Sequence, residues 1–224
     1  MRFATFHQPG GGRLPVIWAS SNPARYWSAY LSPPLDMTCY RPGGIVLDVG
    51  CGEGLQLSNL RQAGYRAIGL EIAPEPARSC RATGHAVIIA RAESLPFRSD
   101  SCHGVLCKVV LPYTDERRAI EEIGRVLAKG GVAVLYLHGL GYSLRYLLKP
   151  DIWQRSVYAA RTIVNTLVYR LTGKRLPGFL GDTIFQSDRR LRRYYRAAGL
   201  TFESAINSRR FLGQPVFIGH VVRK

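Results

Sequence analysis

The residues best placed to do chemistry are the run Asp48-Val49-Gly50-Cys51-Gly52-Glu53-Gly54 and, farther along, Glu71. Glycines at 50, 52 and 54 let the backbone turn tightly and approach a ligand that side chains would hold off. The spacing is GxGxG, not the GxGxxG of dinucleotide loops, and the carboxylates of Asp48 and Glu53 bracket the glycines, where they would repel a pyrophosphate. A ligand with an ammonium and a sulfonium, and no phosphate, would tolerate them. Glu71 follows Asp48 by 23 positions, where a doubly wound sheet sets an acid against ribose hydroxyls. His138 closes a later apolar run and suits proton removal near neutral pH, although a single histidine at a strand end more often serves as a hydrogen-bonded structural residue. Lys108, Tyr113 and Tyr142 hold similar loop positions, with packing or solvent exposure as their other roles.

These groups need a scaffold, and the hydrophobic pattern supplies one. Short β-branched apolar runs at 45–49, 67–72, 86–90, 104–110 and 132–137 read as buried parallel strands. Helices are expected at 55–63, closed by Gly64, and at 116–127, capped by Asp115 and stopped by Gly130-Gly131. A further helix at 188–198 ends at Gly199, and two more strand candidates occupy 201–206 and 215–222. The glycine-rich run sits between a strand and a helix, the context that makes such a motif credible. The expected fold is α/β, a Rossmann-like doubly wound, mostly parallel sheet of about seven strands, with helices on both faces and a helical insertion after the fifth strand.

A chain of 224 residues has room for one large α/β domain. Residues 1–24 read as an N-terminal arm and 25–224 as a single domain with the insertion at about 140–180. Within the arm's sequel, the aromatic stretch 25–31, with Tyr26, Trp27 and Tyr30, reads as a short lid helix or as core. In the insertion, Val157, Ala160, Val164, Leu167, Val168 and Leu171 fall at helical spacing from Trp153, one apolar face with Arg155 and Arg170 away from it. Five cysteines without a CxxC pair point to neither a disulfide framework nor a zinc site, so no metal is expected. With no secretory apolar segment and no run long enough to cross a bilayer, a cytoplasmic protein is expected.

The net charge of +16 is unevenly spread: 15 Lys or Arg against 11 Asp or Glu in residues 1–139, and 16 against 4 in residues 140–224. The basic C-terminal part points to an anionic partner such as phospholipid, a phosphorylated carrier or nucleic acid, or else to a solvated basic face.

In VLDVGCGEG (46–54), GLEI (69–72), AESLPF (92–97) and AIEEIGRVLAKGGVAVL (119–135), over about residues 44–137, the chain resembles class I S-adenosylmethionine-dependent methyltransferases. Within that class it is similar to the ubiquinone and menaquinone biosynthesis group, whose domain is known as methyltransferase type 11. The resemblance implies S-adenosyl-L-methionine as cofactor, with Asp48, Gly50, Cys51, Gly52 and Gly54 at its methionine end, Glu71 and Ile72 at the ribose, and Ala92-Glu93 beside adenine. Two departures stand out. Ala90-Arg91 replaces the family's Gly-Asp, removing the usual acidic contact to the adenine amine, and Ser101-Cys102-His103 replaces Ser-Phe-Asp before the fourth strand.

Methyl transfer from a sulfonium needs alignment and exclusion of water more than an elaborate catalytic set. His138 is the candidate base, and the acceptor is read as a small or lipid-linked molecule, methylated at oxygen or carbon. The insertion at 140–180 would set acceptor identity and make peripheral contact with an anionic membrane, or would simply pack on the domain, which needs the same apolar stripe. Two alternatives stand beside this reading. One is an RNA methyltransferase, favoured by Arg189-Arg190-Leu191-Arg192-Arg193 although no Asn-Pro-Pro-Tyr-like segment follows the fourth strand; the other is a non-catalytic protein that binds the same cofactor.

Overall fold

The computed structural model describes residues 4–7, 13–16, 37–148, 153–206 and 210–224. In chain order the strands are β1 (Ala4–His7), β2 (Arg13–Val16), β3 (Ile45–Val49), β4 (Arg66–Glu71), β5 (Val87–Ile89), β6 (Cys102–Lys108), β7 (Leu127–His138), β8 (Thr201–Ile206), β9 (Arg210–Phe211), β10 (Gln214–Pro215) and β11 (Phe217–Arg223). The helices are α1 (Leu55–Gln62), α2 (Pro74–Ala82), α3 (Glu116–Val126), α4 (Leu140–Leu148), α5 (Trp153–Thr172) and α6 (Asp188–Ala197). They divide between two compact units, one holding 37–138, 186–206 and 218–224, the other 139–148, 153–185 and 210–217 with the β1–β2 hairpin.

The first unit is built on a seven-stranded sheet in the order β5-β4-β3-β6-β7-β11-β8. The strands from β5 to β7 run parallel, and β8 lies antiparallel to β11. This is the mostly parallel Rossmann-like sheet the alternation predicts. Its central strands are apolar along their length because helices cover them. Leu47, Val49, Val105 and Leu135 join Ile120 and Ile123 of α3 and Leu191 and Tyr195 of α6 in one core, while Leu57 of α1 and Ala77 and Cys80 of α2 form a separate cluster with Cys51 and Val87. The reversal of strand order lies between β4-β3 and β6, where the carboxyl ends of β3 and β6 leave a crevice for ligands in sheets of this kind.

Local signals account for most boundaries. Asp115 caps α3 by accepting from the Arg118 amide at 3.2 Å, and Gly64 closes α1 with φ +85°. Gly130-Gly131 does not end α3, contrary to expectation: the helix stops at Val126, Leu127 is already extended, and both glycines lie inside β7. Gly130 takes φ +74° there and its amide donates to the Lys224 carbonyl, so the pair serves a strand irregularity. α2 escaped the hydrophobic pattern because only Ala77 and Cys80 face inward, too small and too few to register as a period.

Two helix starts are tied together by charge. Glu116, fully buried at the head of α3, has Oε1 2.5 Å from Arg190 Nε in the first turn of α6, and Gln186 Nε2 donates to its other oxygen at 3.4 Å. Removing one partner of such a pair strands a charge in the core. Glu116→Ala is therefore expected to lower folding stability by about 3 kcal/mol or more. Chemical denaturation would read this as a shifted midpoint with unchanged m-value, and a shift of only a few tenths would mean that the pair contributes little.

In the second unit, Tyr142 and Tyr146 of α4 pack edge to face at 4.8 Å beside Ala159, Val216 and Phe217. Tyr142 is thus a core residue of that unit. The segment 25–31, read as a short lid helix or as core, lies outside the described residues.

Candidate active site

The carboxyl end of β3 delivers Asp48, 2% exposed, into the turn that follows. The turn is made by glycines in the left-handed region, Gly50 at φ +77° and Gly52 at φ +53°, which side chains seldom adopt. At Gly50 a Cβ would stand 2.2 Å from Val110 Cγ2, so the loop and the segment after β6 come this close only because that side chain is missing. At Gly52 nothing lies within 4 Å of where a Cβ would be, leaving the backbone open to a ligand.

The amides of Gly50, Cys51, Gly52 and Gly54 are already spent. Gly50 and Cys51 donate to the Leu70 carbonyl at 2.7 and 3.1 Å, Gly52 to Glu71 Oε2 at 3.0 Å, and Gly54 to the Cys51 carbonyl at 2.9 Å. Phosphate-binding loops present such donors to their anion. Here they point at protein acceptors, and the side chains around them are acidic. The second oxygen of Glu71 accepts from the amides of Ile72 and Ala73 at 2.8 and 2.9 Å. One carboxylate therefore ties the end of β4 to the glycine turn, with three amide bonds used and a lone pair left for a ligand hydroxyl.

Asp48 Oδ2 is buried without a hydrogen-bond partner among the described residues. Burial raises its carboxyl pKa to about 7, opposed by the nearby Lys108 ammonium and reinforced by Glu71. Burial correspondingly lowers Lys108, the last residue of β6. Val109, next in sequence, sits at φ +59°, a strained setting for a β-branched residue that costs about 1–3 kcal/mol. This kink separates Lys108, beside Asp48, from Val110, against Gly50. The sequence reading places both valines inside a strand at 104–110, because an apolar run does not show where the backbone kinks; the strand ends at Lys108.

Other expected site residues fare differently. The Cys51 thiol is held well above its ordinary pKa by burial, which leaves it inert as a nucleophile. Ile72, 38% exposed, presents an apolar surface next to Glu71. Ala92 is buried in the main core, and Glu93 Oε1 accepts from the Asp115 amide at 3.1 Å with Arg91 at 3.4 Å, bracing the start of α3. His138 ends β7 at 2% exposure, its ring edge-on to Tyr113 at 6.4 Å, and burial pushes its pKa down to about 3. It is neutral at any physiological pH and only weakly basic. No group of three or more His, Cys, Asp or Glu among the described residues could hold a metal ion.

Asp48 with a free buried oxygen, Glu71 with a spare lone pair and an open glycine at 52 fit a cationic nucleoside better than a phosphorylated one. Comparison with known proteins agrees: residues 47–135 match the family described as Methyltransferase domain. In fold the chain is similar to S-adenosylmethionine-dependent methyltransferases. The structure of such an enzyme from Methanosarcina mazei resembles this chain with a TM-score of 0.63 at 18% identity, over 86% of this chain and 98% of that one. Among curated relatives, an uncharacterized protein of Methanocaldococcus jannaschii, MJ1252, is 32% identical over 49% of this chain and 42% of its own length. Mouse probable tRNA methyltransferase 9B is 31% identical over 52% of this chain and 27% of its own. The chain thus spans less than half the length of these curated relatives, and neither is named for quinone biosynthesis, the group the sequence motifs resembled.

Proposed function

We propose that the protein transfers the methyl group of S-adenosylmethionine to a small or lipid-linked acceptor, at oxygen or carbon. The observation that carries this reading is the glycine turn, whose glycine amides at 50, 52 and 54 are satisfied internally while Asp48 offers a buried, unpartnered carboxylate oxygen. Asp48 would hold the ammonium of the methionine end, Glu71 the ribose diol, and Ile72 an apolar edge of the base, with the backbone at Ala92 reading adenine in place of the missing acid. The cofactor supplies an activated methyl on a sulfonium, so the domain's remaining work is to orient the acceptor and exclude water. A histidine as weakly basic as His138 suits an acceptor that is already ionised or activated at carbon, which it would orient through its ring nitrogens.

Methylation of RNA is the second reading, favoured by the kinship to a protein named for tRNA methylation. The basic run of α6 supports it only in part. Arg190 is committed to buried Glu116 and Arg192 to Asp188 at 2.7 Å, so Arg189 and Arg193 are what that run presents outward.

Incubation with methyl-labelled cofactor and separate lipid, small-metabolite and RNA fractions tests both. Label in the lipid or small-metabolite pool is the expected result, and label in RNA alone would replace the first reading by the second. No label in any pool, with cofactor binding intact by calorimetry, would leave a protein that binds the cofactor without using it.

A further inference from the structure

α5 is turned inside out. Its buried face is the polar one: Arg161 pairs with Asp182 at 2.8 Å, Asn165 Nδ2 donates to the Thr183 carbonyl at 2.7 Å, and the Leu176 amide donates to Asn165 Oδ1 at 2.9 Å. The Phe185 amide completes the set by donating to Thr166 Oγ1 at 3.1 Å. These bonds fix the rotation of the helix about its axis, since turning it would strand several buried polar groups. The apolar stripe read from the sequence consequently faces out. Trp153 is 70% exposed, Val164 52%, Leu167 49% and Leu171 86%, with Val157 and Ala160 exposed in the same row. Spacings of four and three along this row keep it on one side for the full length of the helix, and no charged residue interrupts it.

An uninterrupted aliphatic face ending in a tryptophan is out of place in water. We propose that α5 seats this face in the interfacial region of a membrane rich in anionic lipid. Charge decides the occupant. Residues 139–185 hold seven Lys or Arg against two Asp, so a second copy brought face to face would meet repulsion, whereas an anionic bilayer attracts the same charges. Exposed Arg170 and Lys174 stand at the C-terminal end of the stripe, where their long side chains can meet headgroups while Leu167 and Leu171 enter the acyl boundary. Nucleic acid would leave the aliphatic row uncovered. No described helix is long and apolar enough to cross a membrane, which is consistent with a helix that lies in the surface.

The test is co-sedimentation of the full chain with vesicles of phosphatidylcholine alone or with about one third phosphatidylglycerol, a binding readout independent of methyl transfer. Binding to the anionic vesicles, weakened by salt, is expected. Val164→Glu combined with Leu167→Glu should lower partitioning about tenfold or more, with an unchanged circular dichroism spectrum because both sites are exposed. Arg170→Glu with Lys174→Glu should weaken binding to the anionic vesicles specifically. The proposal is overturned if the wild type stays in the supernatant, or if the Val164/Leu167 variant binds as well as the wild type. It is equally overturned if light scattering shows a dimer that this variant splits, since a second copy would then cover the stripe.

Discussion

Asp48→Asn weakens cofactor binding by about a hundredfold or more and, in the same protein, makes the ligand-free fold more stable. Both effects have one origin. A carboxylate buried at 2% exposure with an unpartnered oxygen suits a ligand ammonium and is poorly suited to an empty site. Its pKa rises from 3.8 to about 7 in the folded chain, so between those values the folded state keeps a proton that the unfolded state has released. Stability contributed by this group therefore falls as pH rises from about 4 to about 7 and is level above that. Asparagine does not titrate, so its advantage over wild type should grow with pH across that window, offset in part by the loss of the carboxylate that favours the partly buried Lys108 ammonium. Binding runs the other way. A cationic ligand must displace the proton below about pH 7, so wild-type affinity should drop by up to about tenfold per pH unit there, while that of the variant stays flat. Calorimetric titration and thermal melts at several pH values measure both quantities. An asparagine variant that binds normally, or that is less stable than wild type at pH 8, would remove Asp48 from the site as described.

The second large effect is expected from Glu71→Ala, a loss of cofactor affinity of about a thousandfold, or roughly 4 kcal/mol. Three backbone amides, of Gly52, Ile72 and Ala73, lose their acceptor at once, and the proposed ribose contact goes with them. Glu71→Gln separates the two roles. A carboxamide keeps one acceptor oxygen for the amides but puts a donor against the others, so the turn should loosen while the site keeps its shape. Hydrogen exchange at Gly52 and Ala73 reports the loosening without any ligand. If exchange there is unchanged in Glu71→Ala, the carboxylate does not brace the turn, whatever happens to binding.

Hydrophobic period and glycine placement were enough to read the seven-stranded α/β sheet, the glycine turn, the acid at the end of β4 and the cap at Asp115. Each depends on residues close in sequence, where alternation, φ preference and side-chain capping act locally. The same local logic explains the failure at Gly130-Gly131, since a glycine pair signals a break without saying whether it lies after a helix or within a strand.

Tertiary structure alone decided what the buried groups are. That the Lys108 charge acts on Asp48, that Val110 fills the space left by Gly50, and that Arg190 is spent on Glu116 are relations between residues dozens of positions apart, and no period encodes them. Charge on the solvated chain does not reveal burial either, yet burial is what moves Asp48 up to about 7 and His138 down to about 3. The orientation of α5 follows the same principle. Its amphipathic spacing was plain in the sequence, but which face turns inward was fixed by hydrogen bonds from Arg161, Asn165 and Thr166 to residues 176–185, because an unsatisfied buried polar group costs more than an exposed aliphatic one.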